Sequence, residues 1–278
     1  MVRASGLAKA PKLTERTIQE RERLSTEFVR LVRLQSHPVA VKMLKSVSEA
    51  EGMDIKRPDR KLAVCQLISQ AYFVGHRRVG TMKELGDLCP LGAASLGLME
   101  VPQPYLQGLA YLGSYHATKE VGKSVIESIP KFDPGEYAGI LVSPLDRSPV
   151  DPDVVIFGGN VSQILVFVRA YLHNRGGRLD FGTCAMAGCA DLIVRTMRAK
   201  KLTVVLPCLG YRLLAFPSET DLLCAVPGEL LEDILVGIEF NYKGGVVYPT
   251  AWQHIVRNMP LIWPYPKYIE DQFEKEAH

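Results

Sequence analysis

The chain has 278 residues, of which 47% are hydrophobic and 23% are charged, a composition typical of folded globular proteins. This composition excludes intrinsic disorder over the whole chain, and the length allows a core without disulfide bonds. There are 33 Lys and Arg against 30 Asp and Glu, so the formal net charge is +3. So weak a basic excess predicts neither nucleic acid nor an anionic membrane as a partner.

The sequence also predicts where the protein works. Its most apolar stretch, 154–172, is interrupted by glycines, amides and an arginine, so we expect no membrane span. The N-terminus has no apolar core and carries several acids, which is not the pattern of a secretory signal. We therefore expect a cytoplasmic protein whose six cysteines are reduced thiols, with residues 1–10 as a flexible tail.

The predicted elements alternate between helix and strand along the chain. Apolar periodicity predicts helices over Thr14–Leu34, Cys65–Val74, Cys89–Leu98, Val161–His173, Cys189–Lys200 and Gly228–Phe240. Apolar runs predict strands over His37–Leu44, Gly139–Leu145, Asp153–Gly159, Leu202–Cys208 and Asp221–Pro227. The expected fold is α/β or α+β, with a mixed sheet, some parallel pairing and flanking helices. It forms a single compact domain over residues 11–278, with N- and C-terminal extensions.

Four cysteines lie at the ends of predicted elements. Cys65 opens a helix, Cys89 precedes Pro90 and a run of small residues, Cys189 opens a helix, and Cys208 ends a strand. Free N–H groups at a helix N-terminus favour a thiolate over a thiol, and thiolates are what metals and iron–sulfur clusters bind.

The spacing of these cysteines leaves three interpretations open. The chain has no C-x-x-C motif, so a four-thiolate site would have to be assembled by the fold. Alternatively, the cysteines are small buried apolar residues, or one of them is a reactive nucleophile. Cys224 lies inside the apolar run LLCAV and is predicted to be core, whereas Cys184 is either packing or a spare thiol.

Two further residues are candidates for chemistry near the thiols. Arg212 follows Cys208 by four positions and is predicted to neutralise a thiolate-rich centre or hold an anionic substrate, or else to form a structural ion pair. His76 lies in the basic turn with Arg77 and Arg78 and is a candidate acid or base, as is His116. Solvated charges and structural histidines are the alternatives at these positions.

Several stretches, taken in order, resemble the DUF169 family of archaea and anaerobic bacteria. The matching stretches are PVAVKML, Cys65 to Gly75, CPLGAASLGL, the DVVI strand with its helix, Ala187 to Ala190, VVLPCLGYR and DLLCAVP. The resemblance extends from about Leu31 to Phe240. The family pattern implies cysteines at the positions of Cys65, Cys89, Cys189 and Cys208.

This resemblance favours a metal centre held by the four cysteines. Occurrence in anaerobes implies an oxygen-sensitive [4Fe–4S] cluster, with zinc or no metal as the alternatives. The implied function is an iron–sulfur protein of anaerobic redox metabolism, an oxidoreductase or lyase if it is an enzyme. Such a protein would pass electrons to a redox partner protein or hold a small anionic ligand beside the cluster, and a homo-oligomer is compatible with it.

Two other functions remain as alternatives. One is a metal-free module that binds a small molecule or regulates a partner through a pocket near Gly158 and Cys208. The other is a cysteine-nucleophile enzyme, which would need a base such as His76 or His116 beside the thiol.

Overall fold

The computed structural model describes residues 16–215, 217–245 and 247–249. Its strands are β1 (Val39–Leu44), β2 (Arg78–Gly80), β3 (Gly139–Pro144), β4 (Val154–Asn160), β5 (Thr203–Val205) and β6 (Asp221–Pro227). Its helices are α1 (Ile18–Val32), α2 (Val64–Ser69), α3 (Met82–Leu85), α4 (Pro90–Ser95), α5 (Gln103–Leu106), α6 (Lys119–Ser128), α7 (Val161–His173), α8 (Gly188–Ala190), α9 (Thr196–Ala199), α10 (Leu209–Ala215) and α11 (Leu231–Lys243). The tail predicted over residues 1–10 lies outside the described residues.

One sheet flanked by helices forms a single domain, as the sequence predicted. The strand order is β2-β3-β1-β4-β6-β5, and every pairing between these strands is antiparallel. The predicted parallel pairing does not occur between these six strands. Strands that run in the same direction are not neighbours, because a strand of opposite direction lies between them. For example, β1 lies between β3 and β4 and pairs with both.

Local sequence signals explain where the long helices begin. Thr17 accepts a hydrogen bond from the Glu20 N–H at the start of α1, and the Glu20 carboxylate accepts one from the Thr17 N–H in return. Asn160 and Gln163 form the same reciprocal arrangement at the start of α7. Such capping boxes satisfy backbone N–H groups that a helix terminus leaves without partners.

Successive strand residues face two different cores. On one face of the sheet, α1, α7 and α11 cover a core that includes Phe28, Phe157 and Phe167. On the opposite face, α2, α4, α8 and α10 pack over a core that includes Tyr72 and Val142. We call the first the closed face and the second the open face, because only the second carries the cavity described below.

The helices of the open face are short and irregular. A π-helical turn over Gln70–Val74 continues α2, and another over Asp191–Arg195 joins α8 to α9. The segment 75–88, predicted to be a turn-rich connection, contains β2 and α3. The sequence analysis also missed α6, in which only Gly122 and Ile126 are buried.

Candidate functional site: a cavity lined by four cysteines

A partly open cavity on the open face brings together four of the six cysteines. Cys65, Cys89, Cys189 and Cys208 all line it, and its empty volume is about 590 Å³, including space that is open to solvent. The four residues come from α2, the start of α4, α8 and the start of α10, so the fold assembles the group from distant parts of the chain. All six cysteines are free thiols.

Each of the four cysteines lies at the N-terminal end of a helix. Cys65 and Cys189 are the second residues of α2 and α8, whereas Cys89 and Cys208 directly precede α4 and α10. The first N–H groups of a helix have no partner within it. At α10 the Tyr211 N–H donates to the Cys208 Sγ over 3.4 Å. The predicted placement at a helix start is therefore confirmed for Cys65, Cys89 and Cys189. Cys208 was predicted to end a strand, but β5 ends at Val205 and Cys208 instead precedes α10.

Burial keeps three of these thiols, those of Cys65, Cys89 and Cys189, protonated when nothing positive is near them. It raises the pKa of Cys65 to about 12, and the neighbouring Cys89 and Cys208 thiols add to the increase. Burial also raises the pKa of Cys89 and of Cys189. Backbone N–H groups oppose this effect at each of the three, the donors being Gln66, Gly92 and Ala190. A bound cation reverses this balance, because a coordinating thiol loses its proton.

Glycines leave room next to the sulfur atoms. A Cβ on Gly92 would lie 3.3 Å from the Cys89 Sγ and 3.4 Å from the Cys189 Sγ. Cβ atoms on Gly188 and Gly210 would lie 3.8 Å and 3.9 Å from the Cys208 Sγ. Gly92 thus keeps a side chain out of the space between two of the thiols.

Strained backbone is concentrated around the same cavity. Within the described ranges, five residues other than glycine have a positive φ, and two of them, Arg33 and Lys200, cap the ends of α1 and α9. The other three, Tyr111, Ala185 and Ala187, all line the cavity, with φ values of 64°, 59° and 47°. Such backbone costs about 1–2 kcal/mol for each residue and is found preferentially at functional sites.

Two tyrosines that the sequence analysis did not single out form part of the wall. The rings of Tyr111 and Tyr115 are stacked, with centroids 5.0 Å apart and planes inclined by 25°. They belong to the loop between α5 and α6, where Gly108 and Gly113 interrupt any periodic signal. A pair of tyrosines four positions apart was the only signal in the sequence.

The other predicted site residues do not line the cavity. The Arg212 side chain forms an ion pair with Glu219 over 3.2 Å. His76 Nδ1 lies 3.4 Å from Arg78 Nη2, and burial lowers the pKa of His76, an effect that Arg78 and Lys56 reinforce. His116 is buried beside the Tyr115 ring, where its Nε2 has no hydrogen-bond partner. Their roles in chemistry stay predictions.

The remaining two cysteines lie apart from the group of four. Cys184 is half-buried outside the cavity lining, and its Sγ contacts the Met186 carbonyl oxygen over 3.4 Å. Cys224 lies within β6 on the closed face and is fully buried. The prediction that Cys224 is core is confirmed.

Two features are absent from the described residues. In the described ranges, no group of three or more His, Cys, Asp or Glu side chains could hold a metal ion in the arrangement observed. Of the helices that the structure describes, none is both long and apolar enough to cross a membrane.

Comparison with known proteins identifies relatives of this chain. The family model DUF169, described as uncharacterised ArCR, matches residues 27–237. An uncharacterised protein of Methanocaldococcus jannaschii, MJ0308, is 30% identical over 218 residues, which cover 77% of this chain and 91% of that protein. No solved structure matches this chain.

Proposed function

The chain belongs to the DUF169 family, and we propose that it is an iron–sulfur protein of anaerobic redox metabolism. Cys65, Cys89, Cys189 and Cys208 would hold a [4Fe–4S] cluster in the cavity of the open face. The observation that carries this proposal is that four thiols from distant parts of the chain line one cavity, each at a helix N-terminus.

The donor set and its surroundings fit such a cluster. Four Cys thiolates are the usual ligands of a [4Fe–4S] centre. Backbone N–H groups face the sulfurs of Cys65, Cys89 and Cys189, and the Tyr211 N–H bonds to Cys208. Hydrogen bonds of this kind stabilise thiolates and tune the reduction potential of a cluster. The absent side chain of Gly92 leaves space between two of the sulfurs.

A four-iron cluster and a single zinc ion require different separations of the four thiols. Four sulfurs bound to one zinc lie only about 3.8 Å apart, because a Zn–S bond is about 2.3 Å and the geometry is tetrahedral. The four thiols line one cavity, and iron, sulfide and zinc assays distinguish the two centres. In a four-iron cluster each cysteine binds a different iron atom, so the sulfurs are farther apart.

The cluster would supply one-electron transfer, and the protein would supply its thiolates and enclosure. Electrons would go to a redox partner protein or to a small ligand bound in the remaining space of the cavity. Arg212 and His76 are the predicted catalytic residues, and a role for either requires a change from its present contacts with Glu219 and Arg78.

Single Cys→Ser substitutions test the ligand set. The protein is reconstituted with iron and sulfide under anoxic conditions, and iron is assayed per folded chain. We expect Cys65→Ser, Cys89→Ser, Cys189→Ser and Cys208→Ser each to lose most of the iron, because a ligand is removed. Cys184→Ser and Cys224→Ser are matched controls that should retain it. Cys224→Ala replaces the second control if a hydroxyl in that core prevents folding.

The proposal fails if a variant of the four retains full iron, or if Cys184→Ser loses it as completely as they do. Circular dichroism on the same samples separates loss of iron from loss of fold.

A further inference from the structure

The side of the cavity away from the cysteines has its own chemical character. Apart from the four thiols, the lining consists of aliphatic residues, Met186, three tyrosines and Gly210, with no charged side chain among the described residues. A charged ligand would lose its hydration there without gaining a counter-charge.

The stacked tyrosines present an available aromatic surface at this cavity. Tyr111 is 42% exposed and Tyr115 is 44% exposed, although both belong to the wall. The edge of the Tyr105 ring packs against Tyr111, with centroids 5.9 Å apart. Two neighbouring aromatic rings exposed to solvent at a cavity are typical of a binding surface.

The loop fixes Tyr111 in place by a strained but well-bonded turn. The Tyr111 carbonyl oxygen accepts hydrogen bonds from the N–H groups of Ser114, Tyr115 and His116, over 3.1, 2.9 and 3.2 Å. Glycine would adopt a φ of 64° with less strain than tyrosine does. The turn therefore holds a large aromatic side chain where backbone preference alone would favour glycine.

From these observations we infer that the cavity binds an uncharged, flat, aromatic or conjugated ring, stacked on Tyr111 and Tyr115 and facing the four cysteines. The inference deepens the proposed function, on which it rests, by naming the class of small molecule that shares the cavity with the cluster. The inferred ring is uncharged, whereas the sequence predicted an anionic ligand. The described lining of the cavity offers an anion no positive side chain.

Three probes with nearly the same shape test this inference by equilibrium dialysis against the anoxically purified protein. They are 2-naphthol, naphthalene-2-sulfonate and decahydro-2-naphthol, and none of them alkylates thiols. We expect 2-naphthol to bind at least about tenfold more tightly than the sulfonate, because the sulfonate must be desolvated. We also expect it to bind more tightly than the saturated analogue, which cannot stack.

Variants connect the binding to the tyrosine pair. Tyr115→Leu should weaken 2-naphthol binding about three- to tenfold, whereas Tyr115→Phe should retain it because the ring remains. The control Phe240→Leu removes another exposed ring, from α11 on the closed face, and should have no effect. Equal or tighter binding of the sulfonate, or unchanged binding by folded Tyr115→Leu, would overturn the inference.

Iron assays on the same samples keep the two proposals distinguishable. Full iron content without 2-naphthol binding overturns the ring site and leaves the cluster. Selective 2-naphthol binding by protein that takes up no iron supports the ring site and overturns the cluster.

Discussion

The closed face of the sheet is covered by α1, α7 and α11, which have 15, 13 and 13 residues. The open face is covered by α2, α4 and α10, which have 6, 6 and 7 residues, together with α8 and α9. Long helices bury a continuous apolar stripe, whereas short ones bring many helix termini to one place. The closed face thus provides stability, and the open face gathers four helix N-termini around a cavity.

Cysteine illustrates the difference between the faces. On the closed face, Cys224 lies opposite Phe157 in the sheet and is a small core residue. On the open face, four cysteines lie at helix N-termini around a cavity whose walls include strained backbone. Position in the fold, rather than residue type, therefore separates a structural thiol from a candidate ligand.

The largest effect on stability should come from removing a large side chain from the core of the closed face. Phe157 is fully buried, with its ring centroid 5.0 Å from that of Phe28 and 4.3 Å from that of Phe167. Phe157→Ala should lower the free energy of unfolding by about 3–5 kcal/mol, because it leaves a cavity in a packed core. Urea unfolding measures this loss.

At low temperature, where Phe157→Ala stays folded, iron uptake should remain normal, because the substitution is on the face opposite the cysteines. Complete loss of iron from the folded variant would contradict the separation of the two faces.

At Gly92, on the open face, we expect the opposite pattern: a smaller change in stability and a loss of iron uptake. The Cβ of Gly92→Ala would lie 3.3 and 3.4 Å from two of the sulfurs. Because alanine favours helix over glycine, stability of the iron-free protein should stay unchanged or rise by up to about 1 kcal/mol. Iron uptake should fall by roughly half or more, because the methyl group fills space between the thiols.

Gly210→Ala is the matched control for Gly92→Ala. Its Cβ would make only an ordinary contact, 3.9 Å from the Cys208 Sγ, so iron uptake should be retained. If both variants load iron like the wild type, the space beside Gly92 has no part in holding the cluster.

A pH-dependent effect on stability concerns a buried carboxylate that ties together segments before and after α2. Glu84 accepts hydrogen bonds from Arg57 over 2.7 Å and from the Thr81 hydroxyl over 2.8 Å. Burial acts to raise the pKa of Glu84, but the hydrogen bonds from Thr81 and Arg57 outweigh it and hold the pKa below its ordinary value.

A lowered pKa in the folded state gives stability that is present above the unfolded pKa and is lost as the pH falls. Glu84→Gln should therefore cost about 1–2 kcal/mol at pH 7, and the difference from wild type should shrink towards pH 4. Urea unfolding at both pH values measures it, and Glu127→Gln on the exposed surface of α6 is the control. A difference that is the same at both pH values would contradict the role given to the Glu84 charge.

Sequence patterns predicted those parts of the fold that depend on local periodicity. Buried strands such as β3 and β4 and the amphipathic helix α7 were predicted almost to their observed ends. The antiparallel pairing could not be predicted, because it results from strands distant in sequence, such as β1 and β6, lying between others. Short helices such as α3 and α5 bury too little to leave a periodic pattern.

The candidate site was predictable only in part. Placement of three of the four cysteines at helix starts followed from neighbouring residues, whereas Cys208 was predicted to end a strand. The meeting of the four in one cavity depends on tertiary structure and was implied only by family resemblance. The tyrosine pair was missed because the backbone conformation of Tyr111 has no signal in the sequence. Its φ is positive, and a positive φ is normally expected at glycine rather than at tyrosine.

The central claim is that the four cysteines of the open face hold a [4Fe–4S] cluster. Its most direct test is to purify the protein without oxygen, assay iron, sulfide and zinc on one sample, and record the visible spectrum. We predict about four iron and four sulfide per chain, with broad visible absorption that disappears in Cys189→Ser. About one zinc per chain without colour, or no metal at all, would contradict the claim.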